Sequence, residues 1–264
     1  MEKLTLEQRM DCARRSWQAE QDRREIEMLT LTYPELDREE GYAVQELRNQ
    51  LVEQAGHRVV GYKLGSTSLR KRQQMGTTAS SYGRLYEYMA ISPGQPLELD
   101  RFIHPKVEPE ITFVLGRDLC GPNVTAAQVM AAAECVVCSL EVIDSRYVNF
   151  KFTGGDVVSD NISGGAYVLS GQKYDPKELD LELLGVRLAV NGVDQGYAAC
   201  CEVLGHPARA LAEFANLFCR RTGQPIRAGQ FVMTGGITQS ITLSRGDHVS
   251  ARFAHMGEVT LDVI

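Results

Sequence analysis

The chain has 264 residues, with 34 acidic against 28 basic side chains and 44% hydrophobic residues, so a large core is available and no basic stripe invites nucleic acid. The first twenty-four residues are charged throughout and no run approaches the eighteen or so apolar residues of a membrane span. The expectation is a cytoplasmic protein with no membrane or nucleic-acid partner.

In chain order, Leu4, Met10, Ala13 and Trp17 recur at helical spacing, as do Ala43, Val44, Leu47 and Leu51. Two helices are predicted within residues 5–56, with Leu29 to Pro34 as an extended breaker between them. From residue 57 the texture changes to short β-prone runs: Val59–Leu64, Ile111–Leu115, Val136–Ile143, Ala166–Ser170 and Val186–Val190. Asn191-Gly192 predicts a tight hairpin turn. Helices are predicted over Thr125–Glu134, begun by a cap at Asn123 or Thr125, and over Pro207–Thr222, the latter closed by Gly223. Strands follow at Gln230–Thr234, Ser240–Leu243, His248–Phe253 and Glu258–Val263. The layout is α+β: residues 1–56 form a helical arm and residues 57–264 one mixed-sheet domain. The seven cysteines lie largely in apolar runs, which suits reduced, buried thiols better than a disulfide framework. Cys135 and Cys138 have redox-motif spacing but sit in a β-branched run without a strand-to-helix context, so a structural role is expected.

The chemistry concentrates in a few positions. Glu108 and Glu110 are two apart in a β-prone run and therefore share a face. Such a pair is tolerated in a half-buried strand when a cation or shared proton neutralises it. Glu141, in the run beginning at Cys135, would complete an all-oxygen site suited to Mg²⁺ or Mn²⁺. The alternative is a solvent face for the pair and an arginine partner for Glu141. Lys63, inside an apolar strand, can hold an anion or donate a proton, or it can simply snorkel. It precedes Ser66, Thr67 and Ser68, whose hydroxyls and amides could dock a carboxylate. Arg146, two residues after Asp144, is suited to bidentate carboxylate capture, to supporting the site from behind its ligands, or to neutralising Glu141 or Asp144. Asn161 and Thr234 lie in glycine-containing turns that let backbone approach a ligand or supply positive φ. His206 reads as a helix cap or as packing under the site. No Gly-x-Ser-x-Gly elbow occurs, which disfavours an acyl-enzyme.

Taken together, the segments Val59–Ser68, Pro105–Ile111, Leu140–Arg146, Val158–Asn161, Leu204–Pro207 and the closing Gly257-Glu258-Val259 stand in one order. In that order the chain resembles, nearly end to end, the hydratase/decarboxylase branch of the fumarylacetoacetate hydrolase superfamily. The resemblance implies a mixed β-roll preceded by helices, in a homo-oligomer. It also implies Mg²⁺ or Mn²⁺ held by Glu108, Glu110 and Glu141, a 2-oxo acid chelated by the ion, and a catalytic role for Lys63. Two activities share the scaffold: decarboxylation of 2-oxo-3-hexenedioate (4-oxalocrotonate) and hydration of 2-hydroxypenta-2,4-dienoate. The segments Asp144–Phe152 and Met233–Thr238 resemble the decarboxylase form. Ser81, where hydratases tend to carry an aspartate, points the same way and borders the substrate by that resemblance. Ser66 and Thr153–Gly155 depart from the family pattern and leave the exact acid open. An acylpyruvate hydrolase and a silent metal-binding partner subunit are further alternatives. The resemblance also makes a complex with the pathway hydratase plausible.

Overall fold

The computed structural model describes residues 3–68, 72–73 and 79–264. Helix α1 (Leu6–Asp22) begins in a capping box in which Thr5 accepts from Gln8 N and the Gln8 side chain returns to Thr5 N. Helix α3 (Arg38–Gln54) is capped by Asp37. Between them Leu29–Thr32 is a single helical turn, α2, which corrects the expected breaker. Its cause is tertiary: Asp156 accepts from both Thr30 N and Thr30 Oγ1, at 2.9 and 2.8 Å, and the following Tyr33-Pro34 stops propagation. Helix α4 (Ala126–Ala132), capped by Thr125, is shorter than expected because the chain enters a strand at Ala133. Helix α5 (Gly154–Ser159) carries no apolar periodicity long enough to announce itself, and α6 (Pro207–Thr222) ends at left-handed Gly223 as predicted.

One sheet runs in the order β2 (Ser81–Tyr86), β1 (Val59–Gly65), β8 (Phe231–Met233), β3 (Lys106–Leu115), β4 (Ala133–Ile143) and β5 (Gly164–Leu169), with β9 (Ile241–Thr242) on β3. Among the described residues β1 and β8 are the strand pair that runs parallel, so the sheet is mixed. The second sheet is antiparallel: β11 (Gly257–Asp262), β10 (His248–Phe253), β6 (Gly185–Val190) and β7 (Val193–Ala199). Asn191 and Gly192, both at positive φ, close the β6–β7 hairpin as their sequence predicts.

The two sheets share one apolar core with α6, built from Ile111, Phe113, Val136, Leu188, Phe214 and Val249 among others. A second cluster, Leu4, Cys12, Ala13, Leu29, Leu36, Val44 and Tyr147, joins the helices to the turn after β4. Among the described residues no helix is long and apolar enough to cross a membrane. The expectation of wholly reduced cysteines is corrected at one place. Cys120 and Cys219 form a disulfide, their Cα atoms 5.4 Å apart, because the loop after β3 folds back onto α6. Cys135 and Cys138 are free and buried within β4, three residues apart and so on opposite faces.

The helices meet the sheet domain closely at Gly155, where a Cβ would lie 1.9 Å from the carbonyl oxygen of Leu36. Gly155→Ala is therefore expected to destabilise the protein by about 1–3 kcal/mol, as overpacking does, and a lowered urea midpoint at unchanged m checks it.

Candidate active site

The site is built on the β3–β4 ladder. Glu108 stands opposite Glu141 and Glu110 opposite Ser139, so period-two alternation turns all three carboxylates to one face. That face is interior: Glu108, Glu110 and Glu141 are 6%, 0% and 2% exposed. The solvent-face alternative for the pair is thereby overturned. Burial, then the charges of Glu141 and Glu108, push the Glu110 carboxyl well above its usual range, against a hydrogen bond from Gly235 N at 2.7 Å that favours the ionised form.

Lys63 reaches the same face from β1, where it pairs with Gly83 of β2 and Met233 of β8. It does not snorkel. Its ammonium is buried in an ion pair with Glu141 and donates to the Ile162 carbonyl at 2.8 Å. Glu141 therefore has a lysine partner, not an arginine.

The carbonyl comes from an unusual turn, Asn161, Ile162 and Ser163, at φ 50°, 53° and 54°. Left-handed backbone costs roughly 1–2 kcal/mol per L-residue and is rarest for β-branched side chains such as isoleucine.

Loop 234–236 covers the carboxylates from the other side. A Cβ on Gly236 would lie 1.7 Å from Glu108 Oε2, and one on Gly235, at φ 106°, would lie 2.0 Å from Thr67 Oγ1. Only glycine permits that approach. Through Gly236 the carboxylates adjoin a cavity of about 330 Å³ lined by Ser68, Gln195, Tyr197, Glu202, Gly236 and Thr238.

The remaining expected site residues divide. Ser66 is half-buried at φ 54°, and Thr67 and Ser68 are buried beside Leu204 and Val203. Ser81 pairs with Gly65, its Oγ 2.9 Å from where a Gly65 Cβ would stand. Three others are corrected. Thr234 Oγ1 donates to Ile111 O at 2.8 Å, and the Asn161 amide is engaged by the backbone N and O of Arg84 at 2.7 and 2.9 Å. Arg146 is buried, with Nε on Asp160 Oδ1 and its terminal nitrogens on the carbonyls of Asp144, Asp160 and Gly164, so it does not capture a substrate carboxylate. Sequence reasoning missed the Ile162 carbonyl and Gly236. No side-chain signal marks a carbonyl, whereas the Gly235-Gly236 pair was visible without its neighbour.

Among the described residues no three His, Cys, Asp or Glu side chains already form a metal cage. The donor set nevertheless fits a hard divalent ion. It is all oxygen, and it leaves Glu110 Oε1 buried without a hydrogen bond, while Glu141 Oε1 meets the Lys63 ammonium.

A mixed sheet with three buried glutamates and a buried lysine on one face defines the class. The chain belongs to the fumarylacetoacetate hydrolase family, the Fumarylacetoacetate (FAA) hydrolase C-terminal model matching residues 58–264. Among its relatives, 4-oxalocrotonate decarboxylase of Pseudomonas sp. (strain CF600) is 40% identical over 257 residues, 97% of each chain. 2-Keto-4-pentenoate hydratase of Paraburkholderia xenovorans (strain LB400) is 35% identical, covering 97% of this chain and 95% of its own. The solved structure of 4-oxalocrotonate decarboxylase from Pseudomonas putida G7, complexed with magnesium and adipate, matches with a TM-score of 0.96 at 38% identity over the whole of both chains.

A raised Glu110 pKa means that the metal-free native state holds a proton that the unfolded chain releases above the ordinary carboxylate range. Metal-free stability therefore falls as pH rises from that range through the raised value. Glu110→Gln, which keeps an acceptor for Gly235 N, is expected to flatten this dependence and to stabilise the chelated protein more at pH 8 than at pH 5. Urea unfolding in chelator at pH 5 and pH 8 measures both.

Proposed function

We propose that this chain is a Mg²⁺-dependent (or Mn²⁺-dependent) carboxy-lyase that converts 2-oxo-3-hexenedioate to 2-hydroxypenta-2,4-dienoate and CO₂. The observation that carries the reading is the buried set of Glu108, Glu110, Glu141 and Lys63 in a chain that matches, end to end, a decarboxylase complexed with magnesium and a six-carbon dicarboxylate. Glu108, Glu110 and Glu141 would hold the ion. When bound, it supplies a Lewis acid for the 2-oxo oxygen.

The chain's own residues do the rest. Ser66, Thr67 and Ser68 border the substrate beside Gly235 and Gly236, and Ser81 borders it from β2. An ammonium has three donors, and Glu141 and Ile162 engage two of those of Lys63. The third serves the 2-oxo end. As the C5–C6 bond breaks, CO₂ leaves and its electron pair passes along the conjugated chain to the 2-oxo oxygen. There Lys63 holds or delivers the proton that completes the dienol. Burial makes this interaction stronger than it would be in water.

A second reading, hydration of 2-hydroxypenta-2,4-dienoate, is favoured by the hydratase relative. Ser81, with no carboxylate to manage an added water, favours the decarboxylase. Residues 1–56 and 57–264 form the arm and the catalytic domain in this reading. A homo-oligomer, supported by exposed Leu183, Val193 and Tyr197 around β7, a complex with the pathway hydratase, and a cytoplasmic setting complete it.

Purified protein with Mg²⁺ is expected to release CO₂ from 2-oxo-3-hexenedioate and to leave 2-hydroxypenta-2,4-dienoate unhydrated. Dienoate consumption without CO₂ release would overturn the assignment. Glu108→Gln is expected to lower CO₂ release by about 10²- to 10³-fold and to abolish saturable Mg²⁺ binding in calorimetry while the circular dichroism is retained, a loss of the size seen when a principal electrostatic stabiliser is removed.

A further inference from the structure

The turn that brings the Ile162 carbonyl to Lys63 is gripped at both ends by one guanidinium. Arg146 Nη2 donates to the carbonyl of Asp160, where the turn begins, at 2.6 Å, and Nη1 donates to the carbonyl of Gly164, where it ends, at 2.8 Å. Nε donates to Asp160 Oδ1 and Nη1 also to Asp144 O, both at 2.6 Å, while Arg146 N donates to Asp160 Oδ2 at 3.1 Å. Inside the turn Ser163 N donates to Asp160 O at 2.9 Å, and Asp144 N donates to Ser163 O at 2.8 Å. From the helical arm, Ser16 of α1 adds a bond to Asp160 Oδ1 at 3.1 Å.

We propose that Asp160 and Arg146, completed by Ser16, form a positioning clamp for Lys63. They hold residues 161–163 left-handed so that the Ile162 carbonyl fixes the ammonium. The inference rests on the reading of Lys63 as the proton-handling group and extends it to residues that need touch neither ion nor substrate.

Three consecutive left-handed residues without a glycine persist only where the surroundings over-determine them. The clamp supplies that on one side. On the other, the Asn161 amide brackets the Arg84 backbone, in a strand whose Gly83 stands opposite Lys63. Clamp, turn and lysine strand thus form a closed circuit. Without the guanidinium the turn relaxes toward ordinary backbone and its middle carbonyl swings away. Lys63 is then left with Glu141 alone, and its ammonium shifts relative to the substrate oxygen. Glu108 and Glu110 on β3, and Glu141 opposite Glu108 on β4, stay where the strand ladder holds them, so the loss falls on the chemical step and not on ion or substrate binding. A misplacement of about 1 Å at a reacting group is worth up to about 100-fold in rate.

The test compares kcat, KM, Mg²⁺ affinity and amide hydrogen exchange across residues 160–164 in the wild type, Arg146→Lys, Asp160→Asn and Ser16→Ala. Arg146→Lys and Asp160→Asn are expected to lower kcat about 10- to 100-fold, with KM and Mg²⁺ affinity within about threefold, and to speed exchange in this segment; Ser16→Ala does the same to a smaller extent. Adding Ser163→Gly, which removes steric cost at a left-handed position whose hydroxyl has no hydrogen bond among the described residues, is expected to recover several-fold of the kcat lost in Arg146→Lys. The proposal is overturned if the folded variants keep wild-type kcat, or if kcat, KM and Mg²⁺ affinity decline together with no rescue by Ser163→Gly. Should Arg146→Lys not fold, Asp160→Asn alone and with Ser163→Gly carries the same comparison. A wild type that hydrates the dienoate and releases no CO₂ would sink the decarboxylase reading, while the same variants, assayed for hydration and exchange, would still decide the clamp.

Discussion

The interaction on which the rest depends is the burial of three glutamates against one lysine. Three carboxylates inside a sheet repel one another and forfeit hydration, and the Lys63 ammonium meets one of them, Glu141. The metal-free protein relieves part of this by keeping Glu110 protonated above the ordinary range, and a hard divalent cation would relieve it fully. The surrounding structure serves that imbalance. The β3–β4 register stacks Glu108 on Glu141, β1 delivers Lys63 between β2 and β8, and paired glycines at 235 and 236 bring backbone against the carboxylates where a side chain would keep it away.

Much of this was legible in the sequence because it follows from local rules. Period-two alternation predicts that Glu108 and Glu110 share a face, Gly223 closes its helix where it is found, and of the two capping candidates Asn123 and Thr125 it is Thr125 that starts the helix. Asn191-Gly192 can hardly be other than a hairpin between strands. What was illegible is tertiary. Helix α2 exists because Asp156, more than a hundred residues later, caps it, and Ser81–Tyr86 reads too weakly as a strand to be recognised without β1 beside it. The Ile162 conformation runs against its residue type, so propensity points the wrong way at the place where the lysine is oriented.

At Arg146 the structure decides between two expected tasks, substrate capture and support of the site, in favour of support. Its fork suits a carboxylate, and it does meet one, but the carboxylate is Asp160 and the other donors meet backbone carbonyls. The hydroxyl of Thr234 and the amide of Asn161 are likewise engaged by backbone. Polar groups near a site are more often its scaffolding than its floor, since every buried donor must find an acceptor before it can serve a ligand.

The Cys120–Cys219 bond, with 99 residues of sequence separation, closes a covalent ring. Glu141 and the turn at 161–163 lie inside that ring, whereas Lys63, Glu108, Glu110 and Gly235 lie on the two tails that leave it. The site is therefore assembled from a loop and its tails. Restricting the unfolded ring does not by itself bring Lys63 to Glu141, because the constraint acts within the loop. That meeting depends on strand pairing, and the β3–β4 ladder, which crosses the boundary of the ring, is the seam along which the two parts are joined.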